Sequence, residues 1–508
     1  MNEGDISREP RIRGARLAAW AAALGTLLGV GAASAQDTQT APGVRPVPNN
    51  PGVFKADPRY EDKPYDPGAQ INIYGGKTPI EDPKPLLELG RPLYRAGPLS
   101  SGVDVVGEKN LLFPGFVAFG DWRNVVAYND NGKNEKAVIA TRLNLDLDLR
   151  LTATERLHAF FRPLDRGGAG TRFEFAGPDK KNGVSEWNAV PQTLFFEGDV
   201  GQIYSGLSGT DTRFDLPFTV GLIPMIFQNG IWVEDAFWGG AFTIPARNSP
   251  WAGISNMDVT FFAGFDKVTT IALKNADGSI ADHNANIFGA AAFVEALEGY
   301  FEFGAGRVQG KDQFNGNDYN SLTAAYTRRY GGWLSNSVRG IWTFGQEPNA
   351  NKQQTADGFA LLVENSLVTA LPNTLVPYLN GWVGLDRPVP LARAEGGLLK
   401  NTGINFETDG VTGFPKLDDT GQDTFGAALG IQYLFNLDQQ IVLEAATVQV
   451  IGGNNEVGRP AKADQYGIGI RYQLPLTLDW ILRFDAMHGF LINDRDFTGA
   501  RVELRKKF

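Results

Sequence analysis

Residues 139–151 read Ile139-Ala140-Thr141-Arg142-Leu143-Asn144-Leu145-Asp146-Leu147-Asp148-Leu149-Arg150-Leu151. Ile139, Thr141 and five leucines fall on odd positions, and Arg142, Asn144, Asp146, Asp148 and Arg150 fall on even ones. A strand sends successive side chains to opposite faces, whereas a helix would spread these charges around its whole circumference. The stretch is therefore a strand with one apolar and one charged face.

The pattern repeats outward from this strand. Thr152-Ala153-Thr154-Glu155 turns the chain into 156–164, where Leu157, Ala159 and Phe161 alternate with His158, Phe160 and Arg162. Further hairpins join 287–296 to 299–308, 319–330 to 333–345, 357–369 to 374–386, 425–435 to 440–451, and 464–474 to 479–490, and 496–508 closes the series. Residues 178–253 parse less cleanly, and two strands there bring the total to 18. Short turns near 152, 298, 331, 372, 437 and 476 alternate with longer linkers at 267–285, 309–318, 346–356, 387–422 and 452–463. Short turns at one end and long loops at the other describe a membrane barrel whose short end faces the periplasm. The expected fold is all-β, a transmembrane antiparallel up-and-down β-barrel of about 16–18 strands over residues 116–508. Tyr330, Trp333, Tyr433, Phe435, Tyr472 and Trp480 cluster at short turns, where amphipathic rings meet headgroups.

The N-terminus carries Arg8, Arg11, Arg13 and Arg16, an apolar stretch over 17–31, and Ala33-Ser34-Ala35 before Gln36. This is the layout of an export signal spanning 1–35, with cleavage expected near Ala35. After residue 35 no apolar run is long enough for a membrane helix, and mean hydropathy is −0.20. Backbone groups in lipid must be paired internally, which leaves a closed barrel as the way to cross. Residues 36–115 form a separate proline-rich segment, since 36–100 hold 12 of the 29 prolines. Proline lacks the amide a sheet needs, so the segment reads as a periplasmic tail or spacer. Its alternative role uses Ile80–Leu99, whose Leu86, Leu87, Leu89, Leu93 and Tyr94 would plug the lumen or recruit a periplasmic partner.

Composition excludes several function classes. The formal charge is −10, and removing the signal, with four arginines against three acids, leaves −11, which disfavours nucleic acid as a partner. There is no cysteine, so neither disulfides nor a covalently attached haem contribute. His158, His283 and His488 lie on different elements without a nucleophile or metal-ligand motif, so no enzyme, cofactor or metal is expected. A barrel hydrolase ranks third among the functional readings. Asn275-Ala276-Asp277-Gly278 with Asp282, and Asp418-Asp419 with Asp423, read as solvated loop tips rather than calcium loops, since neither matches EF-hand spacing. The stretch 218–232 breaks alternation. It folds inward as a constriction or forms a turn between two strands, and the turn is the preferred reading.

Giving the leucine-rich faces to lipid fixes the opposite face as lumen. That face holds Arg142, Asp146, Asp148, Arg150, Arg162, Arg172, Glu174, Arg339, Glu364, Glu444, Arg471, Arg483, Asp485, Arg501, Glu503 and Arg505. Each charge on the lipid side would cost about 2–4 kcal/mol near the midplane, which enforces the sorting. Nine arginines against seven acids is a near balance, so strong ion selectivity is not expected, while hydrated, hydroxyl-rich or carboxylated solutes suit such a wall.

The export signal, the alternating hairpins and the ending Arg501-Val502-Glu503-Leu504-Arg505-Lys506-Lys507-Phe508 together resemble Gram-negative outer-membrane porins. In length and lumenal arginines the large single-chain porins and the alginate-export type of barrel are nearest, although 214–232 lacks the arginine-rich signature such barrels often carry. The resemblance implies an outer-membrane location among outer-membrane lipids. It also implies that Val502, Leu504 and Phe508 form the signal read by the barrel-assembly machinery. The expected function is a passive channel for small polar or anionic solutes, oligosaccharides included. The alternative is a scaffold or sheath for a periplasmic partner. Association as a homotrimer is left open.

Overall fold

The computed structural model describes residues 84–90, 102–177, 183–275, 278–348, 354–369, 375–407, 410–435 and 439–508. Their strands form one sheet that closes on itself. In chain order the wall comprises β1 (Gly115–Asp130), β2 (Glu135–Arg150), and β3, which is split into Arg156–Phe161 and Thr171–Ala176. Next come β4 (Pro191–Asp199), β5 (Pro217–Phe227), β6 (Val233–Ser249), β7 (Ile254–Asp266), β8 (Ala285–Ala296) and β9 (Gly299–Gly310). The circuit continues with β10 (Tyr319–Tyr330), β11 (Leu334–Phe344), β12 (Asp357–Leu367), β13 (Leu375–Arg387) and β14 (Thr424–Phe435). It ends with β15 (Gln439–Val450), β16 (Gln465–Pro475), β17 (Trp480–Leu491) and β18 (Phe497–Lys507). Each strand pairs antiparallel with the next. β18 returns to β1 from Asp121↔Lys507 to Asp130↔Thr498, and Phe508 and Gly120 exchange two backbone hydrogen bonds of 2.8 and 3.1 Å. The result is an all-β transmembrane barrel of 18 strands.

Side-chain chemistry follows the pleat. Along β14 Leu429 and Ile431 are exposed while Ala428 and Gly430, on either side of Leu429, are buried, and along β16 Ile468 and Ile470 point out while Gly467 and Gly469 lie on the inward face. An apolar exterior is the stable one when the solvent outside is hydrocarbon. Tyr330, Trp333 and Phe435 stand exposed at the short-turn end, as a headgroup girdle requires.

Three features differ from the expectations. Residues 178–253 contain three strands, β4, β5 and β6, rather than two. β5 hides its period because Leu222, Ile223 and Met225 are all buried where it leaves the wall, so its two faces do not differ in polarity. The strand read as 156–164 breaks after Phe161, makes an inward excursion over 162–170, and resumes at Thr171, with both halves paired to β2. Finally, turn length does not alternate strictly. Asn131–Asn134 is a tight turn at the loop end, and the turn end carries a helix, α1 (Val200–Ser208), capped by Asp199 Oδ1 accepting from the Gln202 amide at 2.9 Å.

Of the stretch Ile80–Leu99, residues 84–90 are described. Leu87–Gly90 forms a short strand on the foot of β1 and lies outside the lumen, while Leu93 and Tyr94 fall outside the described residues, as does the export signal. Among the described residues no helix is long and apolar enough to cross a membrane.

Candidate functional site

Two connections at the loop end turn into the barrel. One is the tip of the β5–β6 hairpin, where Gln228 and Asn229 adopt φ of 55° and Gly230 one of 76° to make a tight reversal. The 218–232 stretch is thus both a turn and an inward fold. Trp232 is fully buried, donating from Nε1 to Ser321 Oγ of β10 at 3.1 Å. Its ring occupies the space beside Gly304 of β9, where a Cβ would come within 2.7 Å. Gln228 Oε1 accepts from Arg339 Nη1 of β11 at 2.7 Å and from Thr323 Oγ1 of β10 at 2.8 Å. Phe227, Trp232, Phe237 and Phe262 stack into an apolar core between hairpin and wall.

The other is the connection 388–423, which visits much of the circumference. The Val389 carbonyl accepts from Thr343 Oγ1 of β11 at 3.1 Å, and Leu391 covers Gly306 of β9. Ala392–Arg393 then pairs parallel with Val233–Glu234, adding a third strand to the hairpin. A single helical turn, Ile404–Phe406, rests on Glu444 of β15, whose carboxylate accepts from the amides of Ile404 (3.0 Å) and Asn405 (2.9 Å) and from Asn405 Nδ2 (2.8 Å). Tyr378 adds its hydroxyl to the same carboxylate at 2.5 Å. Asn405 lies against Gly467 and Gly469 of β16, and Phe414 and Pro415 lie over Gly499 of β18. The Thr412 carbonyl accepts from Asn129 Nδ2 of β1 at 2.9 Å, and Val411 packs with Ala127, Val138 and Ala140. Glycines line the wall at several of these contacts, at Gly306, Gly467, Gly469 and Gly499, because a side chain there would fill the space.

Turn-ward of these contacts, the wall from β16 through β18 to β2 carries the charged residues. Its residues align in register rows on the inward face: Arg471–Asp485–Arg501 across β16, β17 and β18, Arg483–Glu503 across β17 and β18, and Arg505–Arg123–Arg142 across β18, β1 and β2. Asp485 is the hub, accepting from Arg471 (2.7 Å), Arg483 (2.8 Å) and Arg501 (2.9 Å). Glu503 pairs with Arg123, and Asp121 with Arg505 at 2.7 Å. Arg471 also reaches Glu407 of the inward connection at 2.6 Å, and Arg501 lies 4.9 Å from the Phe414 ring. Arg142 pairs with Asp165 of the β3 excursion at 2.6 Å and donates to the Gly168 carbonyl.

The expected interior residues on strands fall on the face opposite the exposed apolar side chains, whereas Arg162 lies in the β3 excursion, and together they do not form one site. Arg339 is buried against Gln228 and lies 3.5 Å from Glu302, with Glu364 at 4.0 Å, while Glu444 holds the helical turn described above. These three support the inward segments. Arg172 and Glu174 pair at 2.8 Å near the loop end, with Lys136 at 2.5 Å from Glu174. Lower on the wall Asp148 lies 3.7 Å from Arg156 and 3.8 Å from His158, which also meets Glu197 at 3.1 Å and stacks on Phe195. Asp146 is in register with Phe119 and Phe160, Arg150 is opposite Arg156, and Arg162 lies 5.5 Å from the Phe160 ring. The sequence reading missed Asp121 and Arg123, although Asp121-Trp122-Arg123 has the period-two signature. It also missed Asp165, Gln228 and Glu407, which lie in connections where alternation carries no information.

The acidic stretch 418–423 is not the solvated loop tip expected, since Asp419 is buried in the inward connection and its neighbours hold backbone, while Asp277 of the other acidic stretch falls outside the described residues. Asp419 accepts from the Gly397 amide at 2.7 Å and pairs with Lys416 at 2.5 Å, and Asp423 Oδ1 accepts from the Asp386 amide at 2.8 Å. Burial beside Asp419 pushes the Asp418 carboxyl up to about 6. Among the described residues no cluster of three or more ligating side chains could hold a metal ion.

Three cavities adjoin the inward segments. One of about 370 Å³ lies between Arg172, Glu174 and Lys136 and the Val411–Gly413 backbone. Another of about 800 Å³ at the loop end is lined by Lys274, Arg387, Glu347 and Gln422, among others. The third, about 890 Å³, lies toward the turn end between Arg156 and Glu197 on one side and Pro224 and Ile226 of the hairpin on the other.

No protein-family model and no curated protein sequence matches this chain. Solved structures do. Pseudomonas aeruginosa OccK2 (OpdF) is similar with a TM-score of 0.50 at 11% identity, over 77% of this chain and 98% of that one. OpdQ of the same organism gives 0.50 at 9% identity, with 77% and 98% covered. OccK2 (OpdF) solved in complex with glucuronate gives 0.49 at 10%, again over 77% and 98%. At these identities the likeness is one of fold.

Proposed function

We propose that this barrel of the outer-membrane porin type is a passive channel for small hydrophilic solutes, with a preference for carboxylates, in the outer membrane of a Gram-negative bacterium. The observation that supports it best is the arc of Arg471, Arg483, Arg501, Arg505, Arg123 and Arg142 over five adjacent strands, all on the inward face. The inward hairpin covers β9–β11, and the 388–423 connection crosses the loop-end positions of β16, β18, β1 and β2 above this arc, so in this reading a solute that has entered past them runs along it. Guanidinium groups recognise carboxylates through two parallel hydrogen bonds. The arginines already share Asp485, Glu503 and Asp121, so an anion exchanges partners with wall carboxylates rather than being captured. Conduction needs binding of that weak kind at several positions.

Arg150 and Arg162, with Asp146 and Asp148, extend the solute path toward the turn end in this reading, and Arg172 and Glu174 flank its loop-end mouth. Uronic acids and short acidic oligosaccharides fit a wall that presents both cations and acceptors. Val502, Leu504 and Phe508 are the proposed recognition strand for the assembly machinery. The test is planar-bilayer recording of the purified protein. Discrete conductance steps that glucuronate reduces, and neutral glucose reduces less, are the expected result, and absence of any conductance removes the reading.

A further inference from the structure

β1 changes partners at Gly120. Above that point its free edge pairs with β18, ending in the two hydrogen bonds between Gly120 and Phe508. Below it, the same edge pairs with the short strand Leu87–Gly90, in the register Leu87↔Ala118, Glu88↔Val117, Leu89↔Phe116 and Gly90↔Gly115. The opposite edge of β1 stays paired with β2 down to Gly115↔Arg150.

The short strand obeys the alternation of the wall. Leu87 continues the row Ala118–Leu147, and Leu89 the row Phe116–Leu149, both on the apolar face of β2. Glu88 falls on the inward row of Val117 and Asp148. Leu87 and Leu89 are 44% and 54% exposed, in the range of the outward Leu443 at 48% and Leu429 at 57%. At Gly90 the backbone reaches φ of 80°, and a Cβ there would stand 2.4 Å from the Pro114 carbonyl oxygen, so the strand stops where the chain must turn away.

We propose that Leu87–Gly90 is a piece of barrel wall, a patch that closes a lateral notch at the foot of β1 between hydrocarbon and the barrel interior. The outer face is still leucine-rich at this height, at Leu147 and Leu149. An unpaired β1 edge there would present bare amides and carbonyls to lipid, which a membrane barrel does not tolerate. The patch is supplied by the proline-rich part of the chain, because a four-residue strand fits among the six residues between Pro85 and Pro92 and suffices when its alternation matches. The inference concerns the wall and stands whether or not the barrel conducts.

The chain has no cysteine, which permits a direct test on the full-length protein in lipid vesicles. Leu87→Cys with Ala118→Cys places two thiols on directly opposed residues, within disulfide reach. Oxidation is expected to cross-link the folded barrel and not the urea-unfolded chain, and a folded barrel that does not cross-link overturns the proposal. Leu87→Asp with Leu89→Asp puts charge on the lipid side of the patch. Amide hydrogen exchange at Phe116 and Ala118, whose N–H groups lie on the same edge as that of Gly120, should then rise about tenfold or more, with 121–130 unchanged. Unchanged exchange at Phe116 and Ala118 also overturns it. If the aspartate pair prevents folding, Leu87→Ser with Leu89→Ser is read in its place by the same criterion.

Discussion

Glu444 and Asp485 show how differently two inward carboxylates act. Glu444 is a bracket for the Ile404–Phe406 turn, with two backbone amides and an Asn405 side chain donating to it. Glu444→Ala leaves those donors unsatisfied in a buried place, at about 1–3 kcal/mol. The expected outcome is a connection that loosens, seen as a larger and noisier single-channel conductance with faster exchange at 404–406. Asp485 instead offsets three arginines. Asp485→Asn is expected to shift the reversal potential in a KCl gradient toward anion selectivity, most strongly at low salt where screening is weak. An unchanged reversal potential would show that the arc does not face the permeating ions. Asp418 gives a pH dependence. Its carboxyl is raised to about 6 from a usual value of 3.8, so the folded connection favours the protonated form. That stabilisation is complete below about pH 4 and is lost as pH rises toward 6. Current noise should therefore grow between pH 4 and pH 6 and level off above, and Asp418→Asn should abolish the trend.

The strands were legible because a wall between hydrocarbon and water forces period two, as in Ile139–Leu151 and in β14. What lay outside that rule was not. β5 read as a broken strand because its end is buried on both sides. The 388–423 connection carries its apolar residues, Leu391, Leu398, Leu399, Phe406 and Leu417, at no regular spacing, since each meets a different strand. The signal that could have revealed the inward segments is glycine at inward wall positions: Gly304, Gly306, Gly467, Gly469 and Gly499 mark where side chains of those segments press on the wall backbone. Two substitutions test the hairpin as an element. Trp232→Ala removes a fully buried aromatic and its bond to Ser321, at about 3–5 kcal/mol. Gly304→Val pushes on the same ring from the wall side. Both should raise conductance while leaving the barrel folded by circular dichroism. If neither changes it, the hairpin does not bound the solute path.

At the scale of the whole molecule, the partition between outward apolar and inward charged faces was readable from sequence, whereas the strand count was not fixed until β4, β5 and β6 were resolved. The partition predicts that Leu429→Lys, on an outward position 57% exposed, destabilises the barrel in vesicles by about 2–4 kcal/mol if it lies near the midplane. Urea titration of the reconstituted protein measures this, and a neutral result would mean that this face does not meet hydrocarbon. The path of the 388–423 connection has a mechanical consequence as well. Leu391 lies on β9 and Phe414 on β18, nine staves apart in a ring of eighteen, and between them the connection is tied to β13, β15 and β16, so it forms an inner belt along the wall. A hollow tube squeezed by its surroundings flattens into an ellipse, and an inner belt fastened to successive staves stiffens the wall against that mode. The cross-section at this level should thus stay round in stiff, tightly packed bilayers, while the unbraced end below it takes up the deformation.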